Sequence, residues 1–358
     1  MSVPKSAVEL ESPEAIAVVD DILAGVGLQH GSRASRRNTW AGGERRPVGK
    51  KKDAAAKASA EPAEQPQPVT ISALRQCEGL VHGFSTRAGG VSRCYRPWLP
   101  EGTGDLNLGF TAHDDPDHVR ENRRRFLYAI QAQDFQQFAL LNQRHTPIIR
   151  ILAQATEAST DFLQSGALRG DAVMTDLPGV LLTIQTADCV PVLLFDPLKR
   201  VVAAFHAGWR GTLARIVERG VGTMRRQYGS DPASLIAAIG PSIGPESYAV
   251  GEELQHDFRS QFHYADELFR DVYDSDPIRE KYPLLFLTAR APGHSPIGPQ
   301  LHLDLWEANR RQLLDAGVEA ANISITGENT AADTGRFFSY RAEDGFTGRM
   351  MSAIGMAE

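Results

Sequence analysis

The sequence predicts a single α/β (mixed α+β) domain, with mixed β-sheets enclosed by helices, behind a long N-terminal extension. Three observations carry that expectation. From Val69 onward, short β-branched runs bounded by turn residues interleave with amphipathic stretches of helical length. The 358 residues are 42% hydrophobic and 23% charged, which is ordinary globular composition. Large α/β folds often use roughly 250 residues as one unit, so the length does not demand two domains.

Residues 1–68 differ from the rest. A short helix is expected over Ala15–Leu23, and between Arg33 and Asp53 lie eight basic and two acidic residues. The tract DAAAKASAEPAEQPQP follows, and such a stretch buries too little apolar area to offset its ordering entropy. Residues 1–68 are therefore expected to be a largely disordered extension, with the domain at 69–358. Its basic run reads as a solvated linker, with a targeting or anion-binding arm as the alternative.

Within the domain a strand is expected at Leu80–Ser85, and helices at Asp117–Ile130 and Thr212–Tyr228. Val180–Phe195 carries two apolar runs broken at Thr186–Cys189, and a turn at Pro197–Arg200 leads into VVAAFHA. A strand at Leu235–Ile239 runs into GPSIG. A helix at Leu305–Ala316 has Asp304 as its N-cap and Gly317 as its stop. Strands are expected at Asn322–Thr326 and Phe337–Tyr340. The irregular stretch Phe262–Pro299 reads as a loop or lid, with a short strand at Leu284–Thr288 and a solvent-facing His294.

Several function classes fall away on composition. No run of about 18 uncharged apolar residues suggests a membrane span. The opening residues carry acidic side chains within their apolar stretch and do not read as a secretory signal. Three cysteines, Cys77, Cys94 and Cys189, are too few for a disulfide framework and fit a reducing, cytoplasmic setting. A net charge of −6 gives no reason to expect a nucleic-acid partner.

Chemistry is expected where buried strands open into loops, at NQRHTP (Asn142–Pro147), TADCVP (Thr186–Pro191) and HAGWRG (His206–Gly211). If the strands flanking Asp196–Arg200 form a hairpin, Cys189 and His206 fall at the same end of a sheet. His145 would have to come from elsewhere. One thiolate and two imidazoles suit Zn²⁺ and leave a fourth position open. Asp188 or Asp171 could orient a ligand or move a proton. Spacing alone leaves other readings open: hydrogen-bonded histidines at a core edge with Cys189 as a small buried hydrophobe, or a Cys189–His206 hydrolase dyad. A second constellation, His82 with Ser85–Thr86–Arg87 and Gly89–Gly90, could cradle an oxyanion or simply form a turn. Arg210 is another candidate anion contact or a packing residue beside Trp209.

Taken together, HGFSTRAGGVS (His82–Ser92), LNQRH (Leu141–His145), TADCVPVLLFDP (Thr186–Pro197), AAFHAGWRGT (Ala203–Thr212), IGPSIGPESYAVG (Ile239–Gly251) and FFSYRAEDGFTGR (Phe337–Arg349) resemble the YfiH-like laccase-domain family, also called the multicopper polyphenol oxidoreductase family. The resemblance implies that His145, Cys189 and His206 bind zinc, with copper possible in the same ligands, and that His82 and Arg87 lie at the substrate pocket. It also implies a fold like the catalytic domain of cytotoxic necrotizing toxins. The implied activities are phosphorolysis of adenosine, inosine, guanosine and methylthioadenosine, with adenosine deamination. Polyphenol oxidation, editing of peptidoglycan precursors and a non-catalytic metal-stabilised binding role are the alternatives. For phosphorolysis, Arg87, helped by His82 and Ser85, would hold phosphate beside a purine nucleoside; His82, Arg87 and Asp188 are the candidate catalytic residues. Laccase chemistry is disfavoured because the chain has ten histidines and one clear site, and Zn²⁺ has no redox chemistry. Asn329 stands where the family usually has a cysteine.

Overall fold

The computed structural model describes residues 65–272 and 299–358, which fall within a single packing unit. The expected helix at Ala15–Leu23, the basic run, the strand at Leu284–Thr288 and His294 lie outside the described residues. At the start of the described chain, Pro66 is buried, against the backbone at Gly89. Packing therefore begins before the expected boundary at 69.

A single helical turn, α1 (Ser72–Arg75), precedes β1 (Leu80–Phe84) and β2 (Ala88–Ser92). The next helix, α2 (Pro116–Ala129), starts where Asp115 accepts the Asp117 N–H and proline occupies the first helical position. The chain then lays down β3 (Gln137–Asn142), β4 (Ile149–Ile151), β5 (Leu168–Arg169) and β6 (Ala172–Thr175). The apolar heart follows as β7 (Val180–Thr186), β8 (Val190–Asp196) and β9 (Val201–Ala207). A short helix α3 (Trp209–Leu213) is separated from α4 (Ile216–Tyr228) by Arg215, whose φ is 58°. That left-handed residue splits what the periodicity predicts as one helix. Then come β10 (Ile236–Ile239), α5 (Glu252–Gln261), β11 (Phe269–Val272), β12 (Gln300–Leu303), α6 (Leu305–Asp315), β13 (Ile323–Ile325) and β14 (Met350–Met356).

Two mixed sheets dominate, one ordered β1-β14-β7-β3-β5 and the other β13-β10-β8-β9-β6-β4. Every residue of β8 and β9 is buried. Burial on both faces explains why these strands read as continuous apolar runs rather than as an alternation. They form the predicted hairpin, with Pro191 opposite His206 and Val190 opposite Ala207. The helices α4, α5 and α6 supply Val217, Val221, Phe258, Leu305 and Leu313 to the largest core cluster. This is a mixed α/β domain with several sheets flanked by helices.

Two expected elements take another form. Phe337–Tyr340 is not a strand. Arg336 and Phe337 donate backbone N–H groups back to the Asp333 carbonyl, which makes a turn, and Phe337 and Phe338 are buried with Tyr95 and Met350. Nor is Phe262–Val272 a loose lid. Phe262, Tyr264 and Leu268 belong to the main core, and β11 pairs antiparallel with β12. The strand closing the first sheet against β1 and β7 is β14, which the sequence pattern did not announce.

Candidate metal centre

His145, Cys189 and His206 converge, and one ligand atom from each lies within 4.8 Å of the other two. Two of the three come from connections that cross between the large sheets. His145 follows β3 of the first sheet and precedes β4 of the second, while Cys189 sits between β7 and β8. His206 stands near the end of β9. The Cys189 sulfur lies 3.7 Å from His145 Nε2, and the two imidazole rings meet edge to face at 4.8 Å between centroids. Bonds of 2.0–2.3 Å to a tetrahedral zinc imply ligand separations of roughly 3.5 Å, so a small inward movement would complete three corners.

The chain makes room for this cluster with Gly208. A Cβ there would stand 2.8 Å from the Cys189 sulfur and 3.2 Å from His145 Cδ2. Its φ of −68° is open to any residue, so the constraint is steric.

Asp171 is the buried support behind the ligands. Its carboxylate accepts the Nδ1–H of His206 at 2.9 Å, leaving Nε2 of that ring as the ligand atom. It also accepts the backbone N–H groups of Arg144, His145 and Thr146 and the Thr146 hydroxyl. His145 itself has a φ of 59°, an unusual left-handed conformation that these bonds hold in place. Burial works against ionising Asp171, but the bonds from His206 and Thr146 bring its pKa down to about 2. Burial likewise opposes ionisation of Cys189. The positive charge of His206 and hydrogen bonds from both histidines outweigh it and lower the thiol to about 6. For His206, burial favours the neutral ring, yet Cys189 and Asp171 together raise it to about 9. Without an ion, the pair is therefore a thiolate and an imidazolium. A soft thiolate, one supported imidazole and one exposed imidazole form a donor set that fits a borderline-soft cation.

The other predicted residues lie outside this cluster. His82 is buried on β1, where its Nε2 accepts the Ile71 N–H at 2.9 Å. Burial, reinforced by Arg75, lowers its pKa to about 4 and keeps it neutral. Arg87 is 1% exposed and paired with Asp105 and Glu343; it donates to the Thr334 carbonyl and stacks 4.6 Å over Phe338. That guanidinium has no face open to solvent. Asp188 has both carboxylate oxygens occupied, by the Thr330 hydroxyl at 2.7 Å and the Arg341 N–H at 2.6 Å. Of the two aspartates named for a ligand-orienting role, Asp171 is the one bonded to a ligand.

Residues to which the sequence assigned no role complete the surroundings. The Gln143 side chain bonds both ways with the backbone of Gln185, tying the His145 loop to β7. Asn329 accepts the Gly244 N–H and donates to the Ser247 hydroxyl, fastening the GPSIG segment to residues 328–331. A cysteine could not make both bonds. Burial and the negative charge of Cys189 push the Tyr248 hydroxyl up to about 12, against the opposing charges of Arg341 and Arg210. A cavity of about 310 Å³ is lined by His113, Gln185, Thr347 and Arg349 among others, but none of the three cluster residues forms its wall.

The family described as multi-copper polyphenol oxidoreductase laccase matches residues 81–357. The chain belongs to this family. It is 39% identical over 278 residues to a purine nucleoside phosphorylase of Deinococcus radiodurans, covering 77% of this chain and 88% of that one. It is 32% identical over 241 residues to the adenosine deaminase RL5 of an unknown prokaryotic organism, covering 66% and 82%. The crystal structure of YlmD from Geobacillus stearothermophilus superposes with a TM-score of 0.64 at 30% identity, over 83% of this chain and 98% of that one. The matched region includes every residue of the His145–Cys189–His206 cluster. Among the described residues, no helix is long and apolar enough to cross a membrane.

Proposed function

We propose that this chain is a zinc-dependent purine nucleoside phosphorylase with accompanying adenosine deaminase activity. The observation that carries the reading is the combination of one supported His–Cys–His cluster with relatives named for those two activities. Zinc would supply a Lewis acid with an open coordination position beside the substrate. His145, Cys189 and His206 would hold it, and Asp171 would fix the His206 tautomer and the backbone of the His145 loop. In phosphorolysis, a phosphate oxygen bonds to the anomeric carbon as the glycosidic C–N bond breaks. The purine nitrogen keeps the electron pair and takes a proton. In this reading, Asp188, His82 and Arg87 position the pocket walls, because each is held by bonds within the protein.

Copper oxidase chemistry is the competing reading that the family description favours. Among the described residues, however, a single three-ligand cluster occurs, and four-electron oxygen reduction uses several redox ions. Three free cysteines suit work in the cytoplasm. The test is chromatography of adenosine and inosine incubated with zinc-quantified protein. Free base and ribose 1-phosphate formed only with phosphate, and inosine formed from adenosine without it, are the expected products. Metal-loaded protein giving neither would overturn the proposal.

A further inference from the structure

With Arg87 sealed inside the protein, phosphate must meet positive charge elsewhere, and two arginines near the cluster remain exposed. Arg341 follows the buried pair Phe337–Phe338, and its backbone N–H is held by Asp188, the residue before Cys189. Its guanidinium donates through Nη1 to the Ala249 carbonyl at 2.6 Å and lies 5.0 Å over the Tyr248 ring. No carboxylate among the described residues pairs with it. Arg210 stands in α3, two residues beyond Gly208, the glycine on which the Cys189 sulfur rests. Its guanidinium lies 4.3 Å over the Trp209 ring and has no hydrogen-bond or ion-pair partner among the described residues. By contrast, Arg215, Arg310, Arg311 and Arg336 are all paired with glutamates. An arginine held over an aromatic ring is pre-oriented and keeps its remaining N–H donors for an oxyanion, which suits fork geometry.

We infer that Arg210 and Arg341, linked to the Cys189 segment through Gly208 and Asp188 respectively, form the anion site that takes inorganic phosphate beside the metal cluster, an assignment that rests on the phosphorylase reading. Asp188 is then a positioning residue. It anchors Cys189 on one side and the backbone of Arg341 on the other. The strained φ of 85° at Asp188 is the turn that allows both.

The test uses zinc-loaded full-length protein with inosine, varying phosphate. Arg210→Ala and Arg341→Ala should each raise the phosphate KM about tenfold, since one charge-assisted hydrogen bond has roughly that effect. The inosine KM and zinc content should hold. Arg226→Ala, on the exposed side of α4, removes the same charge and should leave the phosphate KM alone. Arg210→Lys and Arg341→Lys cover the case of poor folding and should restore part of the affinity. Binding of inorganic phosphate is followed separately by calorimetry. Turnover with an unchanged phosphate KM in the double variant sinks the anion site while the phosphorylase reading stands. Phosphate binding that needs both arginines, in protein without phosphorolysis, sinks that reading and keeps the site.

Discussion

Asp171 and His206 share a 2.9 Å hydrogen bond deep behind the cluster, and the same carboxylate holds the backbone that presents His145. One buried side chain thus sets two of the three ligands. Asp171→Asn keeps the shape but loses the charge and at least one acceptor. Zinc affinity is expected to fall by about ten- to a hundredfold, the usual effect of losing such a partner. Competition against a chromophoric chelator measures it, and unchanged affinity would show that the ligands orient themselves.

Gly208→Ala tests the tightness of the cluster. The added methyl meets sulfur at 2.8 Å in a backbone conformation that alanine accepts freely. The variant should fold, as judged by circular dichroism, yet retain well under half the zinc of the parent after dialysis. Full retention would mean that the sulfur has room to move.

Metal binding should also depend on pH in a defined direction. His206 is raised to about 9 and Cys189 lowered to about 6, so at pH 7–9 the metal-free thiolate faces an imidazolium. Binding must displace the His206 proton. Affinity should therefore rise with pH, by close to tenfold per unit at most, and flatten above about 9. Calorimetry in buffers of different ionisation enthalpy should detect about one proton released at pH 7.5.

His82 makes a separate contribution to acid sensitivity. Its folded pKa of about 4 lies below the ordinary 6.5, so the unfolded chain takes up a proton before the native one. The associated stability is complete above about 6.5, declines as pH falls, and is lost once pH has passed 4. The effect is on the order of 3 kcal/mol. Urea midpoints for His82→Gln, which can still accept the Ile71 N–H, should change less between pH 7 and pH 4.5 than those of the parent.

Arg87→Ala should act on folding. It removes the buried guanidinium shared by Asp105 and Glu343 and leaves Asp105 with Arg96 alone, and breaking such a buried network costs about 3 kcal/mol. A urea midpoint close to the parent's, with phosphate affinity lost, would return Arg87 to the substrate pocket.

The hairpin carrying Cys189 and His206 was legible because two apolar runs of equal length flank a short polar turn. His145 was chemically recognisable but not locatable, since its loop arrives from the other sheet. Arg87 shows the opposite case. Among hydroxyls and glycines it reads as an anion cradle or a turn, and the fold closes Asp105 and Glu343 over its guanidinium. Tyr248 and Arg341 lie in the IGPSIGPESYAVG and FFSYRAEDGFTGR segments, but nothing local tied them to the cluster, because only the fold brings them near Cys189. Likewise, Phe337–Tyr340 has strand-like composition, but its aromatic burial is met by a turn over Arg87 and Tyr95.

Because the His145 and Cys189 segments are the passages by which the chain leaves one sheet for the other, an ion held there would act as a clasp across the seam. Protein synthesised during metal starvation would carry that seam unlatched and open there more often. Its lifetime, more than its turnover number, would then report the cell's zinc supply, and pulse-chase decay with and without a chelator would read it out.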